Sequence, residues 1–139
     1  MILEKKGCLG QIKKIADLCK GDIGFITKQT LLNAIDERRI IVSTDNGNIV
    51  GFVHFYHRKK DKQTTIYEIA VLPQKQKRDF GKKMITELIE YSRHLNRETI
   101  LLKCPVRNNS NGFYKKMGFK LIKTVCGKKR QLNVWTKKL

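Results

Sequence analysis

The stretch Glu68–Met84, EIAVLPQKQKRDFGKKM, constrains this chain more than any other. It starts as an apolar run of strand composition, passes a proline, crosses the basic loop QKQKRDFG and turns helical. Phe80, Met84, Ile85, Leu88 and Ile89, then Tyr91 and Leu95, carry the helical pattern. A strand that ends in a tight basic turn opening a helix is an anion site. The first helical N–H groups have no intrahelical partners, and the helix dipole adds partial positive charge there. Gly81 lets a ligand approach the backbone, and Lys75, Lys77, Arg78, Lys82 and Lys83 add formal charge. The arrangement suits a diphosphate.

Around this stretch the pattern predicts alternating helices and strands. Residues 2–4 read as a short first strand, and residues 8–19 as a helix with Leu9, Ile12, Ile15, Ala16 and Cys19 on one face. Thr27 is placed to cap a second helix running to about Glu37, with Leu31, Leu32 and Ile35 on its apolar side. Ile40–Thr44 and Ile49–His57 flank an Asn-Gly turn as a β-hairpin. After a charged connection come a central strand, Thr64–Leu72, a third helix over 80–94, and a strand, Thr99–Cys104. Residues 109–117 form a last helix that Gly118 stops, and Phe119–Val125 with Gln131–Thr136 form a closing hairpin.

At 139 residues the chain is long enough for one domain with a real core, and no apolar run reaches the length of a membrane span. Its beginning, MILEKKGCLG, reaches charge too early for a secretory signal. The four cysteines show no metal spacing, so buried free thiols in a reducing cytoplasm are expected. The net charge of +18 permits attraction to nucleic acid or acidic protein, although its lysines are scattered.

Gln76-Lys77-Arg78-Asp79-Phe80-Gly81 resembles the signature (Q/R)-x-x-G-x-(G/A) of the GNAT superfamily of acyl-CoA N-acyltransferases, with Asp79 replacing the first glycine. Downstream, NNSNGFYKKMGFKLI is similar to that family's second motif, a short helix ending in FYxxxGF. The resemblance covers about residues 64–122, and the first sixty match in layout only. It implies an α/β (α+β) fold in a single domain over residues 1–139. The fold would be a mixed central sheet of about six or seven strands with helices on both faces. It also implies acetyl-CoA, or another short acyl-CoA, as donor, coenzyme A as product, and direct transfer to a primary amine.

Carried onto these residues, the resemblance places backbone groups of Ala70, Val71 and Leu72 on the pantetheine arm. The loop Gln76, Lys77, Arg78, Asp79, Phe80, Gly81 and Lys82 would surround the diphosphate, its N–H groups from Lys77 onward donating. Asparagines 108, 109 and 111 lie where the family often touches the cofactor, with Asn109 and Asn111 best placed. Tyr114 takes the position of the tyrosine that protonates the departing thiolate. Asp79 is the departure. A carboxylate near a diphosphate is repelled by about 4 kcal/mol per close charge pair at an effective dielectric of about 20. Asp also tolerates positive φ where a glycine turn is needed, and it can cap a helix.

The attacking amine must lose a proton, and Glu68 is the first candidate base. Simple alternation puts it on one face with Ile66, Ala70 and Leu72. Its alternative is a salt bridge to lysine; His54, His57 and water are the other bases weighed. The expected function is N-acetyl transfer to a primary amine in the cytoplasm, with no membrane partner. The alternative is a GNAT-fold binding module with an impaired cofactor loop, serving as a basic nucleic-acid- or protein-interaction domain. An acceptor linked to nucleic acid, such as an aminoacyl-tRNA, joins the two. The family layout would put the basic hairpin tip, Lys128-Lys129-Arg130, beside the acceptor's entrance.

Overall fold

The computed structural model describes residues 6–139, and the expected strand at residues 2–4 lies outside them. A turn of 3-10 helix, Lys6–Cys8, leads into α1 (Leu9–Leu18), and α2 (Lys20–Ile23) follows at once. Gly24, at φ +82°, ends α2 in a conformation open to glycine. In α3 (Lys28–Asp36) the Thr27 side chain accepts from the Thr30 N–H at 3.1 Å, so the expected cap is present. Its buried face is Leu31, Ala34 and Ile35 rather than Leu32.

The strands β1 (Ile40–Asp45) and β2 (Asn48–Arg58) pair antiparallel around Asn46 and Gly47. Both turn residues have positive φ, 51° and 82°, the geometry that an Asn-Gly hairpin supplies. Seven consecutive residues of β2, Ile49–Phe55, are buried, as in a strand covered on both faces. After β3 (Gln63–Val71) a single 3-10 turn, Pro73–Lys75, precedes α4 (Phe80–His94). Then come β4 (Thr99–Pro105), α5 (Ser110–Lys116), β5 (Lys120–Cys126) and β6 (Gln131–Lys138).

Six strands among the described residues form one sheet in the order β1-β2-β3-β4-β6-β5. The β3–β4 pair is parallel, while β4–β6 and β5–β6 are antiparallel, so the sheet is mixed as expected. Paired β3–β4 residues run only from Gln63↔Thr99 to Ile66↔Leu102, although β3 continues to Val71. No helix among the described residues is long and apolar enough to cross a membrane.

The chain falls into two compact units. One holds the described residues up to Phe55 together with Glu68–Leu88; the other holds Tyr56–Tyr67 with Ile89–Leu139. In the first, Ile12, Ile15, Leu31, Ile35, Ile40, Phe52 and Ala70 share one core cluster. Each such large side chain contributes about 1.5–3 kcal/mol by leaving water. Gly51 sits where β2, β3 and α4 crowd together, since a Cβ there would lie 2.9 Å from the Ala70 carbonyl oxygen.

In the second unit Ile100, Leu102 and Cys104 alternate into the core of β4, and Phe119, Val134 and Trp135 are buried with them. The edge strand β5 is exposed along most of its length, with lysines beside Leu121 and Ile122 that discourage further strand pairing. None of the four cysteines is in a disulfide. Only Cys19 and Cys104 are buried; Cys8 is half-buried and Cys126 exposed, which corrects the expectation of four buried thiols.

Candidate functional site

The loop between β3 and α4 is built by two residues that are not glycine. Lys77 has φ 64° and Asp79 φ 67°, both left-handed. Asp79 therefore stands in a conformation that glycine adopts readily. Its carbonyl accepts from the Lys83 N–H at 3.0 Å, which makes it the residue that opens α4. A left-handed residue directly before the first helical one, as Asp79 stands before Phe80, is the kind of turn whose backbone N–H groups can hold an anion. Asp79 takes up the left-handed φ without a glycine.

Three contacts pin this loop. Gln76 donates from Nε2 to the Val71 carbonyl at 3.1 Å, Lys75 Nζ lies 2.9 Å from Asp45 Oδ2, and the Lys75 N–H bonds the Leu72 carbonyl at 2.8 Å. Ser43 Oγ reaches the Phe80 carbonyl at 3.3 Å. The Val71 carbonyl also receives the Cys19 thiol at 3.6 Å, and the Leu72 N–H goes to Val50 O at 2.8 Å. Of the strand-end groups expected to meet pantetheine, these two are engaged within the protein. Gln76 braces the loop through its side chain, while Gly81 and Lys82 lie in the first turn of α4.

Glu68 meets a partner that simple alternation did not give it: His54 Nδ1 lies 2.6 Å from its Oε2. The Tyr56 and Tyr67 rings stack with centroids 6.4 Å apart. The carboxylate contacts a histidine, not a lysine. His54 is buried and Glu68 keeps a side-chain exposure of 19 %. His57 belongs elsewhere: its Nδ1 meets Thr64 Oγ1 at 2.9 Å, and Thr64 bonds Ser92 of α4 at 2.8 Å.

Tyr114 is buried between Phe113 and Phe119, with ring centroids at 5.4 and 6.0 Å in edge-on contacts. Burial, with a smaller contribution from Cys104, pushes its phenol far above the ordinary value of 10, so it stays protonated. Asn111 is saturated. Its Oδ1 accepts from Trp135 Nε1 at 2.8 Å and Asn133 Nδ2 at 3.2 Å. Its Nδ2 donates to the carbonyls of Asn108, Pro105 and Val106 at 2.7, 2.9 and 3.2 Å. Such a side chain ties the start of α5 to β6. Asn108 Oδ1 accepts from the Ser110 N–H at 2.8 Å, and Asn109, the residue before α5, makes no capping bond.

Sequence reasoning missed Arg39, Ser43 and Asp45. Arg39 Nη1 lies 2.9 Å from His54 Nε2, a contact across 15 positions that leaves no local spacing signal. A basic residue at the mouth of a strand with buried polar His54 was the available hint.

Residues 36–121, from the end of α3 through the left-handed turn and into β5, match the family described as an acetyltransferase (GNAT) domain. A search of curated proteins finds no match. Solved structures share the fold at low identity. The ribosomal-protein-S18-alanine N-acetyltransferase from Escherichia coli is 17 % identical, with TM-score 0.81 over 96 % of this chain and 89 % of that one. Ard1 from Thermoplasma volcanium is 17 % identical, with TM-score 0.87 over 97 % and 93 %. The putative acetyltransferase yncA from Salmonella typhimurium, solved with its cofactor acetyl-CoA, is 19 % identical, with TM-score 0.81 over 98 % and 91 %. A family match that spans more than half of the sequence and contains the whole Gln76–Gly81 turn decides the matter: the chain belongs to the GNAT family of acetyl-CoA-dependent acetyltransferases.

Proposed function

We propose that the protein is an N-acetyltransferase that moves the acetyl group of acetyl-CoA directly onto a primary amine. The observation that carries this is the turn of Lys77 and Asp79, left-handed at both residues and opening α4 with lysines and an arginine around it. Acetyl-CoA, when bound, supplies the acyl group as a thioester. In this reading the Lys77–Lys82 N–H groups hold its diphosphate, and Lys77, Arg78 and Lys82 offset the Asp79 carboxylate. Glu68 takes a proton from the amine. Tyr114, held neutral, offers its hydroxyl to the sulfur as the C–S bond breaks. Asn109 replaces Asn111 as the asparagine on the cofactor side, because Asn111 has no bonding capacity left.

The acceptor we favour carries its amine on an acidic or nucleic-acid-linked molecule. A net charge of +18 attracts such a partner and repels free polyamines. Isothermal titration with acetyl-CoA should give a saturable one-site isotherm. Thiol release should then be measured against peptides, aminoacyl-tRNA and spermidine. No heat and no thermal shift at millimolar acetyl-CoA would remove the enzymatic reading.

A further inference from the structure

The contact between His54 and Glu68 has a defined proton. Arg39 Nη1 lies 2.9 Å from His54 Nε2, and a guanidinium can only donate, so Nε2 must be the ring's acceptor. The ring proton then sits on Nδ1 and points at Glu68 Oε2, 2.6 Å away. Arg39 is itself held in place. Its Nε donates to Glu37 Oε2 at 2.7 Å, its Nη1 also reaches the Phe55 carbonyl at 3.4 Å, and the Phe55 N–H bonds the Arg39 carbonyl at 3.0 Å. Among the described residues the Glu68 side chain is bonded by His54 through Oε2, and it keeps a side-chain exposure of 19 %.

We propose that Arg39 and His54 are positioning residues for Glu68, fixing Oε2 so that Oε1 faces the attacking amine as its proton acceptor. The proposal rests on the N-acetyltransferase reading. One proton of the ammonium passes to Oε1. The freed nitrogen lone pair forms the C–N bond while the C–S bond breaks, and the second N–H proton ends on the coenzyme A sulfur. In this arrangement His54 is a strut whose ring-proton position Arg39 selects, and a lysine in its place would neutralise the base instead of orienting it.

Two measurements on the full chain test this. A long-range ¹H–¹⁵N correlation spectrum at neutral pH, assigned with His54→Leu, should show His54 protonated on Nδ1 alone; Arg39→Met should let the Nε2-protonated form appear. A proton on Nε2 in the unsubstituted protein, or on both nitrogens, overturns the assignment. With acetyl-CoA and an acidic peptide bearing a free N-terminal amine as probes, His54→Leu should lower kcat roughly 10–100-fold while the KM for acetyl-CoA holds. His54→Asn, which keeps an N–H donor, should recover most of the rate, and His54→Leu should add nothing once Glu68→Gln is present. An unchanged rate in His54→Leu, or a parallel rise in the KM, makes the pair merely structural. Acetyl-CoA binding with no transfer overturns the positioning role along with the transferase reading. A wrong tautomer with intact transfer overturns this inference alone.

Discussion

Lys75 reaches from the phosphate-sized loop to the β1–β2 hairpin, its Nζ 2.9 Å from Asp45 Oδ2. The hydrogen bond from Lys75 holds the Asp45 carboxyl below its usual range, and the Lys75 and Arg78 charges act the same way against a burial penalty. A depressed carboxylate contributes its stabilisation above the ordinary value of 3.8 and loses it as pH falls below that value. Asp45→Asn should therefore speed amide exchange at Lys75–Asp79 at neutral pH and leave the amides of mid-α4 unchanged. Equal exchange in both proteins would mean that the loop is ordered without this pair.

Asp79 can be tested in two directions because its φ of 67° suits glycine. Asp79→Gly removes the strain and the charge, so stability should rise by up to about 1 kcal/mol. Acetyl-CoA should bind up to tenfold tighter, equivalent to about 1.4 kcal/mol. Asp79→Ala keeps the strain without the local bonding that Asp offers, and should cost about 1 kcal/mol. Denaturant titration and calorimetry read the two effects separately. Weaker binding in Asp79→Gly would mean that the carboxylate helps the ligand.

Gly51 has no comparable freedom. An added Cβ would meet the Ala70 carbonyl at 2.9 Å, Met84 Cε at 3.1 Å and Val71 Cγ2 at 3.2 Å. The nearest atom is backbone, which cannot swing aside, so Gly51→Ala should destabilise by about 1–3 kcal/mol. A denaturation midpoint equal to that of the unsubstituted protein would show that β2 and β3 separate easily here.

The elements that sequence pattern revealed are those whose cause is local. The Asn46-Gly47 turn, the Thr27 cap and α4 over 80–94 each follow from neighbouring residues, and each stands where expected. The partner of Glu68 was not legible, because His54 lies on another strand and leaves no local spacing signal. Asn111 was misleading for a similar reason. Its five bonds go to the turn before α5 and to β6, more than twenty positions away at Trp135 and Asn133. Left-handed Lys77 gave no signal at all, since lysine is not enriched in that conformation.

His57 supplies a pH dependence apart from the chemistry. Burial first, then the Arg97 charge, lower its value from 6.5 to about 4. It is neutral in the folded protein, facing Thr64, Tyr91 and Arg97. Between pH 6.5 and about 4 the unfolded chain binds a proton that the folded chain refuses. Its contribution is therefore complete above 6.5 and declines as pH falls through that window. Denaturation midpoints across that window should fall with acid, and less steeply in His57→Gln. Parallel slopes in the two proteins would place the acid sensitivity in other groups.

Tyr114→Phe separates a proton donor from a hydrogen-bond donor. The substitution keeps the ring between Phe113 and Phe119, so packing should be preserved and acetyl-CoA affinity unchanged. The phenol is held far above its ordinary value, whereas a thiol titrates at about 8.5. Passing its proton fully to the thiolate would therefore run uphill; a hydrogen bond to the charged sulfur would not. Such bonds are worth about 1.5–3 kcal/mol. Turnover should therefore fall roughly 10–100-fold, at the low end of the 10²–10⁴-fold that general acid–base catalysis contributes or below it. A loss well beyond a hundredfold with affinity intact would mean that substrate binding lowers the phenol enough for full proton transfer. Unchanged turnover would make Tyr114 a packing residue, and the thiolate would take its proton from solvent.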